Sequence, residues 1–135
     1  MNSLQREART RIAEVLNSMR IDDDVLGAIE VTGYESQPYT ISPLDAWPRW
    51  ERTQVTTRCI RYTLWNVFLV LPPADSDTYI RTADVLSVAA GAALAQIGPV
   101  QQIVPASLAL DTQGNAPVPA VQIDIQTTGS VLNGG

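Results

Sequence analysis

The sequence predicts one α/β (α+β) domain, a mixed and mostly antiparallel sheet flanked by two helices in the order α-β-β-β-α-β-β. Three observations predict it. The longest apolar run, Cys59-Ile60-Arg61-Tyr62-Thr63-Leu64-Trp65-Asn66-Val67-Phe68-Leu69-Val70-Leu71, is rich in β-branched and aromatic residues and stops at Pro72-Pro73. Two segments carry apolar residues at helical spacing. Finally, Val121, Ile123 and Ile125 alternate with Gln122, Asp124 and Gln126, the pattern of a strand with one wet face.

The first helix runs from a cap at Ser3 to about Met19. Leu4, Ala8, Ile12, Val15, Leu16 and Met19 share a stripe, and Glu7–Arg11 is a favourably ordered i,i+4 pair. Acids interleave with its arginines, so the stripe packs on a sheet and does not bind a membrane. Asp22, Asp23 and Asp24 follow. Their spacing lacks the alternate oxygens and turn glycine of a calcium loop, which leaves a solvated turn. Ala28–Thr32 alternates as a strand ended by Gly33-Tyr34, and Tyr39-Thr40-Ile41 is a second short extended piece.

Residues 42–53 hold two prolines and read as a loop, yet they carry Trp47 and Trp50. These tryptophans either fold back on the core edge or anchor an interface. Trp and Arg are enriched at binding hot spots, and here Trp47, Arg49, Trp50 and Arg52 succeed one another. Base stacking is a third use of such a mixture, disfavoured by the acidic balance. Gln54–Arg58 leads into the apolar run. Read together they make one strand of about 17 residues, which extends past the domain or bends at a bulge.

Asp75, Ser76 and Asp77 supply caps and first-turn acids for a second helix over 77–97, closed by Gly98-Pro99. Its apolar stripe is Tyr79, Ala83, Leu86, Ala90, Ala93, Leu94 and Ile97. Alanines nearly all round its second half let it lie close to a sheet or to another subunit. Val100–Val104 and Ala106–Leu110, an Asp111–Asn115 turn, and Val118–Gln126 form a hairpin. Central strand, second helix and following strand form a crossover unit, which allows a parallel pair. The domain spans 1–127, and 128–135 is a flexible tail.

Composition narrows function. The chain has 135 residues, 45% hydrophobic and 17% charged, with a net charge of −5. This describes a globular domain and opposes general nucleic-acid binding. Arg81 is the only cation after Arg61, so the second half is the more acidic. All nine cations are arginine, which fits a GC-rich genome and also suits interface ion pairs. There is no histidine, which excludes Ser–His–Asp and Cys–His catalysis and His-ligated metals. The one cysteine, Cys59, cannot form an internal disulfide and reads as a small core residue. No phosphate-binding glycine loop occurs, and the close acid pairs Asp22–Asp24 and Asp75–Asp77 sit at turn or capping positions. The polar N-terminal residues lack a signal-peptide core. No enzyme, metal or cofactor is expected.

The order of pieces carries a resemblance. A short amphipathic helix and a strand precede Trp47-Pro48-Arg49-Trp50. A long strand of the form Arg-x-x-x-Trp-x-Val-x-x-Val-Leu-Pro follows, from Arg61 to Pro72. Then come an Asp-rich cap, an Ala-rich helix and Asp-Thr-x-Gly-x-x-x-Pro-Ala from Asp111 to Ala120. Over residues 4–126 this resembles the tail terminator proteins of long-tailed phages of actinobacteria. No single motif is diagnostic; the likeness lies in order and length. It implies a virion subunit, assembled in the host cytoplasm, that forms a homohexameric ring at the head-proximal end of the tail. Its implied partners are its own copies, the major tail tube protein and the head–tail connector or stopper protein. DNA would pass the lumen without specific binding, and no membrane is involved. Another head–tail connector or tail-completion protein is the alternative, and a small ligand-binding domain a third. The expected ring contacts are Trp47, Arg49, Trp50, Arg52, Arg58 and Arg61 against Asp22, Asp23 and Asp24 of a neighbour.

Overall fold

The computed structural model describes residues 4–56, 58, 60–73, 77–109 and 117–130. The Ser3 cap, Cys59, Asp75 and Ser76, the Asp111–Asn115 turn and residues 131–135 lie outside the described residues. The elements are α1 (Leu4–Ser18), β1 (Arg20–Asp23), β2 (Gly27–Glu30), β3 (Thr32–Gly33), β4 (Asp45–Val55), β5 (Ile60–Val70), α2 (Tyr79–Leu94), β6 (Val100–Leu108) and β7 (Val118–Ser130). β1 and β2 form a separate antiparallel hairpin, and the main sheet has the order β3-β4-β5-β7-β6. Among the described strand pairs only β3–β4 is parallel. The α+β class and the central place of the apolar strand are as expected.

Both helices cover the same face of the sheet. The period-2 alternation of β5 and β7 sends Trp65, Val67, Leu69, Val121, Ile123 and Ile125 to that face. There they meet Ala8, Ile12, Leu16 and Met19 of α1 and Leu86, Ala90 and Leu94 of α2. Fully burying one such large apolar side chain is worth about 1.5–3 kcal/mol, so this layer is the main source of stability. Trp65 is fully buried, and its indole Nε1 donates to Thr127 Oγ1 at 3.0 Å. α1 crosses β3 closely. A Cβ on Gly33 would lie 2.6 Å from the Ala13 carbonyl oxygen and 2.8 Å from Leu16 Cβ. The Asn17 side chain joins the crossing by accepting from Gly33 N–H at 2.8 Å and donating to Gly33 C=O at 2.9 Å.

Several expectations are corrected. Residues 45–53 are not loop but the first part of β4. Beyond Ala46 this strand has a neighbour only on the β5 side, so Pro48 costs no ladder bond there. The Pro48 carbonyl instead accepts from Arg9 Nη1 at 3.5 Å. The overlong strand is two strands, β4 and β5, joined by a turn. Thr56 closes it, its N–H donating to Ile60 C=O at 2.9 Å while its hydroxyl accepts from Ile60 N–H at 3.2 Å. A bulge does occur, but between Trp50 and Arg52 of β4, outside the run expected to bend. The strand read over Ala28–Thr32 divides at buried Val31 between β2 and β3, in different sheets. Tyr39–Ile41 has no strand partner and is irregular. Asp22 and Asp23 belong to β1, and only Asp24 lies in the turn. α2 is shorter than 77–97 at both ends, and Ala95–Ile97 are turn residues.

The crossover from β5 through α2 to β6 exists, but β7 lies between the two strands and is antiparallel to both. β5 and β6 are thus parallel in direction without being bonded to each other. β7 runs on to Ser130, opposite Ile60, so Thr128–Ser130 are paired strand and not the start of a tail. Pro105 sits inside β6, at the sheet's other edge.

Candidate functional site

The face away from the helices is covered by no helix among the described residues. Its upper part is a small apolar cluster, Trp47, Phe68 and Val70, with Ile41, Ala106, Leu108 and Val118 around it. The rest is polar. Register sets Asn66 opposite both Arg49 and Asp124, and Gln102 opposite Asp124. Asn66 and Asp124 are buried. The Asn66 Oδ1 accepts from Arg49 Nε at 3.1 Å and Nη2 at 2.8 Å. Its Nδ2 donates to Asp124 Oδ1 at 2.6 Å. A guanidinium only donates and a carboxylate only accepts, so one orientation of the amide satisfies both. Asp124 accepts further from Gln102 Nε2 at 2.6 Å and Gln122 Nε2 at 2.9 Å. Two opposite charges are therefore linked through an amide and fanned by glutamines.

Below this network lies a concavity of about 350 Å³ whose walls include Gln54, Tyr62, Leu64, Gln102 and Gln126. Its lining combines glutamine amides with the charged side chains of Glu51 and Arg52. It presents one buried carboxylate already engaged three times, with no nucleophile set against a base. No group of three His, Cys, Asp or Glu suited to a metal occurs among the described residues. No helix among them is long and apolar enough to cross a membrane.

The six residues expected on one side of a subunit contact are divided between the two faces of the sheet and the β4–β5 turn, and the three expected acids lie on the β1–β2 hairpin. Trp47 is 3% exposed and packs on Phe68, ring centroids 6.0 Å apart, so it belongs to the chain's own core. Trp50 is 47% exposed, and its Nε1 donates to Thr53 Oγ1 at 2.8 Å. The Arg49 guanidinium lies 4.9 Å over the Phe68 ring while holding Asn66. Arg52 is exposed, 3.9 Å from Glu51, and Arg58 is exposed in the β4–β5 turn. Arg61 is on the helix-bearing side, in a small cleft with Glu7, Arg11 and Thr127.

Among the acids, Asp22 and Asp24 are exposed, whereas Asp23 is engaged inside the chain. Arg81 Nη2 donates to Asp23 Oδ1 at 2.7 Å and Arg81 Nε to Oδ2 at 3.1 Å. The N–H groups of Leu26 and Val25 donate to the same Oδ2 at 2.9 and 3.0 Å. The Arg81 bond first, then the Leu26 N–H, holds the Asp23 carboxyl down to about 2. The Asp23 bond in turn raises Arg81. The acidic run thus has an in-chain cation, 58 residues further on.

Sequence reasoning missed Arg9, Asn66, Arg81, Gln102 and Asp124. The alternation of Gln122, Asp124 and Gln126 signalled a wet face, but nothing local pairs Asp124 with Asn66. A second concavity of about 380 Å³ opens beside the apolar cluster, lined by Arg9, Trp47, Pro48, Arg49, Phe68 and Leu108. A third feature is a shallow apolar groove between α2 and the β6 edge, with Val88, Ala92, Ala95 and Ile103. Compared with known proteins, the chain matches no family model, and no curated protein matches it in sequence.

Proposed function

We propose that the chain is a structural subunit of a phage tail that assembles as a ring at the head-proximal end of the tail tube, stops tube growth and joins the tail to the head connector. The observation that carries this reading is the sheet face that no helix covers. A face with no helix over it, with a patch of amides in which Asn66 bridges Arg49 and Asp124, suits the wall of a channel. Tight binding to DNA comes from neutralising phosphates with cations. A wall of glutamines around an arginine and an aspartate bridged by Asn66 lets a duplex pass without holding it. The order of elements and the arginine-only cation set support the same reading. In it the partners are further copies of the chain, the tail tube protein and the connector protein, with no cofactor and no chemistry.

The test is the position and symmetry of the chain in images of the whole particle. Six copies in a ring between tube and connector are expected. A single copy, or a place at the far end of the tail, refutes the reading. A ring elsewhere in the head–tail junction assigns the chain to the connector proteins instead.

A further inference from the structure

We infer that the tip of the β1–β2 hairpin of one copy, with Asp22, Asp24 and Val25, seats in the Arg9–Arg49 concavity of the next copy. The inference rests on the ring reading and names the contact that would build the ring.

The concavity holds two positive charges with neutral partners. Three ion pairs occur among the described residues, and neither Arg9 nor Arg49 is in any of them. Arg9 Nη1 donates to the Glu35 carbonyl at 2.9 Å, and its guanidinium lies 5.0 Å over the Trp65 ring. The Glu35 carboxylate instead accepts from the Thr10 hydroxyl at 2.8 Å. Arg49 is held by the Asn66 amide oxygen and stacks on Phe68. Both guanidinium groups are thus oriented without being neutralised. Between them lies apolar lining from Trp47, Phe68 and Leu108. The matching ligand is a carboxylate with a small apolar group beside it, on a backbone that projects.

The chain itself carries that ligand. Asp22 and Asp24 are exposed and take part in none of the ion pairs, and Val25 beside them is 71% exposed. The tip is also stiff. Asp23 ties the turn to the N–H groups of Val25 and Leu26 and to Arg81 on α2, so little ordering remains to be done on contact. Tip and concavity are different surfaces of one subunit. A contact between them is heterologous, the kind that closes into rings. Charge pairing of this sort fixes which surfaces meet and in what orientation.

The experiment is a charge swap in the full-length chain, read by sedimentation velocity up to millimolar concentration. Asp24→Arg and Arg49→Glu should each weaken self-association at least about tenfold. An equimolar mixture of the two should recover it, because alternating copies then present only opposite charges. High salt should weaken the wild type in the same direction. Circular dichroism checks folding; if Arg49→Glu fails to fold, Arg9→Glu takes its place in the mixture. Single variants that associate like the wild type, or folded variants that do not recover on mixing, overturn the contact and leave the ring reading standing. That outcome includes the case where the concavity serves an acidic segment of another protein. A wild type that stays monomeric throughout overturns the ring reading and the contact with it.

Discussion

Replacing Asp124 by leucine tests whether the amide network is a structural necessity of the open face. The carboxylate is 3% exposed and accepts from Asn66, Gln102 and Gln122. Gln102 is exposed and Gln122 half-buried, so both can turn to water once the acceptor is gone. Asn66 cannot, because it is completely buried, and its remaining contact to Glu51 Oε1 is 3.5 Å long. A buried donor left without a partner costs about 1–3 kcal/mol, and losing the hydrogen bonds to a charged acceptor adds about 1 kcal/mol more. Asp124→Leu should therefore cost about 2–4 kcal/mol. At a urea dependence of about 2 kcal/mol per molar, the unfolding midpoint falls by roughly 1–2 M. Fluorescence of the buried Trp47 and Trp65 reports the transition. Adding Asn66→Leu to Asp124→Leu should return part of the loss, because no orphaned amide remains and Arg49 at the surface can find water. If Asp124→Leu shifts the midpoint by less than about 0.3 M, or the double variant loses the sum of the singles, the network is incidental and the argument fails.

Three further outcomes are expected. Trp47→Ala should cost about 3–5 kcal/mol in urea unfolding, as for a core aromatic, whereas Trp50→Ala should stay within about 1 kcal/mol of the wild type. Asp23 is held at about 2 against an ordinary value of 3.8, so its contribution is complete above the ordinary value and is lost as the pH falls from about 4 toward 2. Thermal melts of Arg81→Gln should accordingly lie below the wild type at neutral pH and converge with it across that window; a constant gap would disprove the linkage. Gly98→Ala places a methyl against the Gln126 carbonyl at the start of the β6–β7 pairing and should cost about 2–3 kcal/mol, whereas wild-type stability would show that the turn can shift.

The helix stripes and the strand alternation were legible because each encodes its own period. Ala8, Ile12 and Leu16, or Val121, Ile123 and Ile125, need no knowledge of distant residues to announce a buried face. The β4 strand was not legible, since Pro48 is a turn signal everywhere except at a sheet edge, and edge position is a property of the whole sheet. The β4–β5 turn was hidden for the opposite reason. No glycine or proline lies between Val55 and Ile60, and a threonine hydroxyl closes the turn in their place. The polar site was the least accessible part. Asn66 and Asp124 are 58 positions apart, as are Asp23 and Arg81, so each looks solvated until tertiary structure brings its partner. Reading Trp47 with the surface arginines failed because sharing a face does not fix exposure: Trp47 and Arg49 lie on one face of β4, but the Trp47 ring is buried against Phe68, and Trp50, on the other face, stays half outside.

The insertion of β7 between β5 and β6 also sets an order of events in time. Until residues 118–130 have left the ribosome, β6 has no partner and β5 shows a bare, apolar edge. The helices can form early, but each can dock only on part of the surface it later covers. Closing β5 on β7 joins residues as far apart as Ile60 and Ser130, a long loop closure made before its contacts reward it. The nascent chain is thus sticky for longer than a domain built from consecutive hairpins. The same arrangement makes completion abrupt. One strand fills the gap on both sides at once, so a chain missing that strand has an open slot through the middle of its sheet. Unfinished chains thus differ from finished ones in shape as well as in stability.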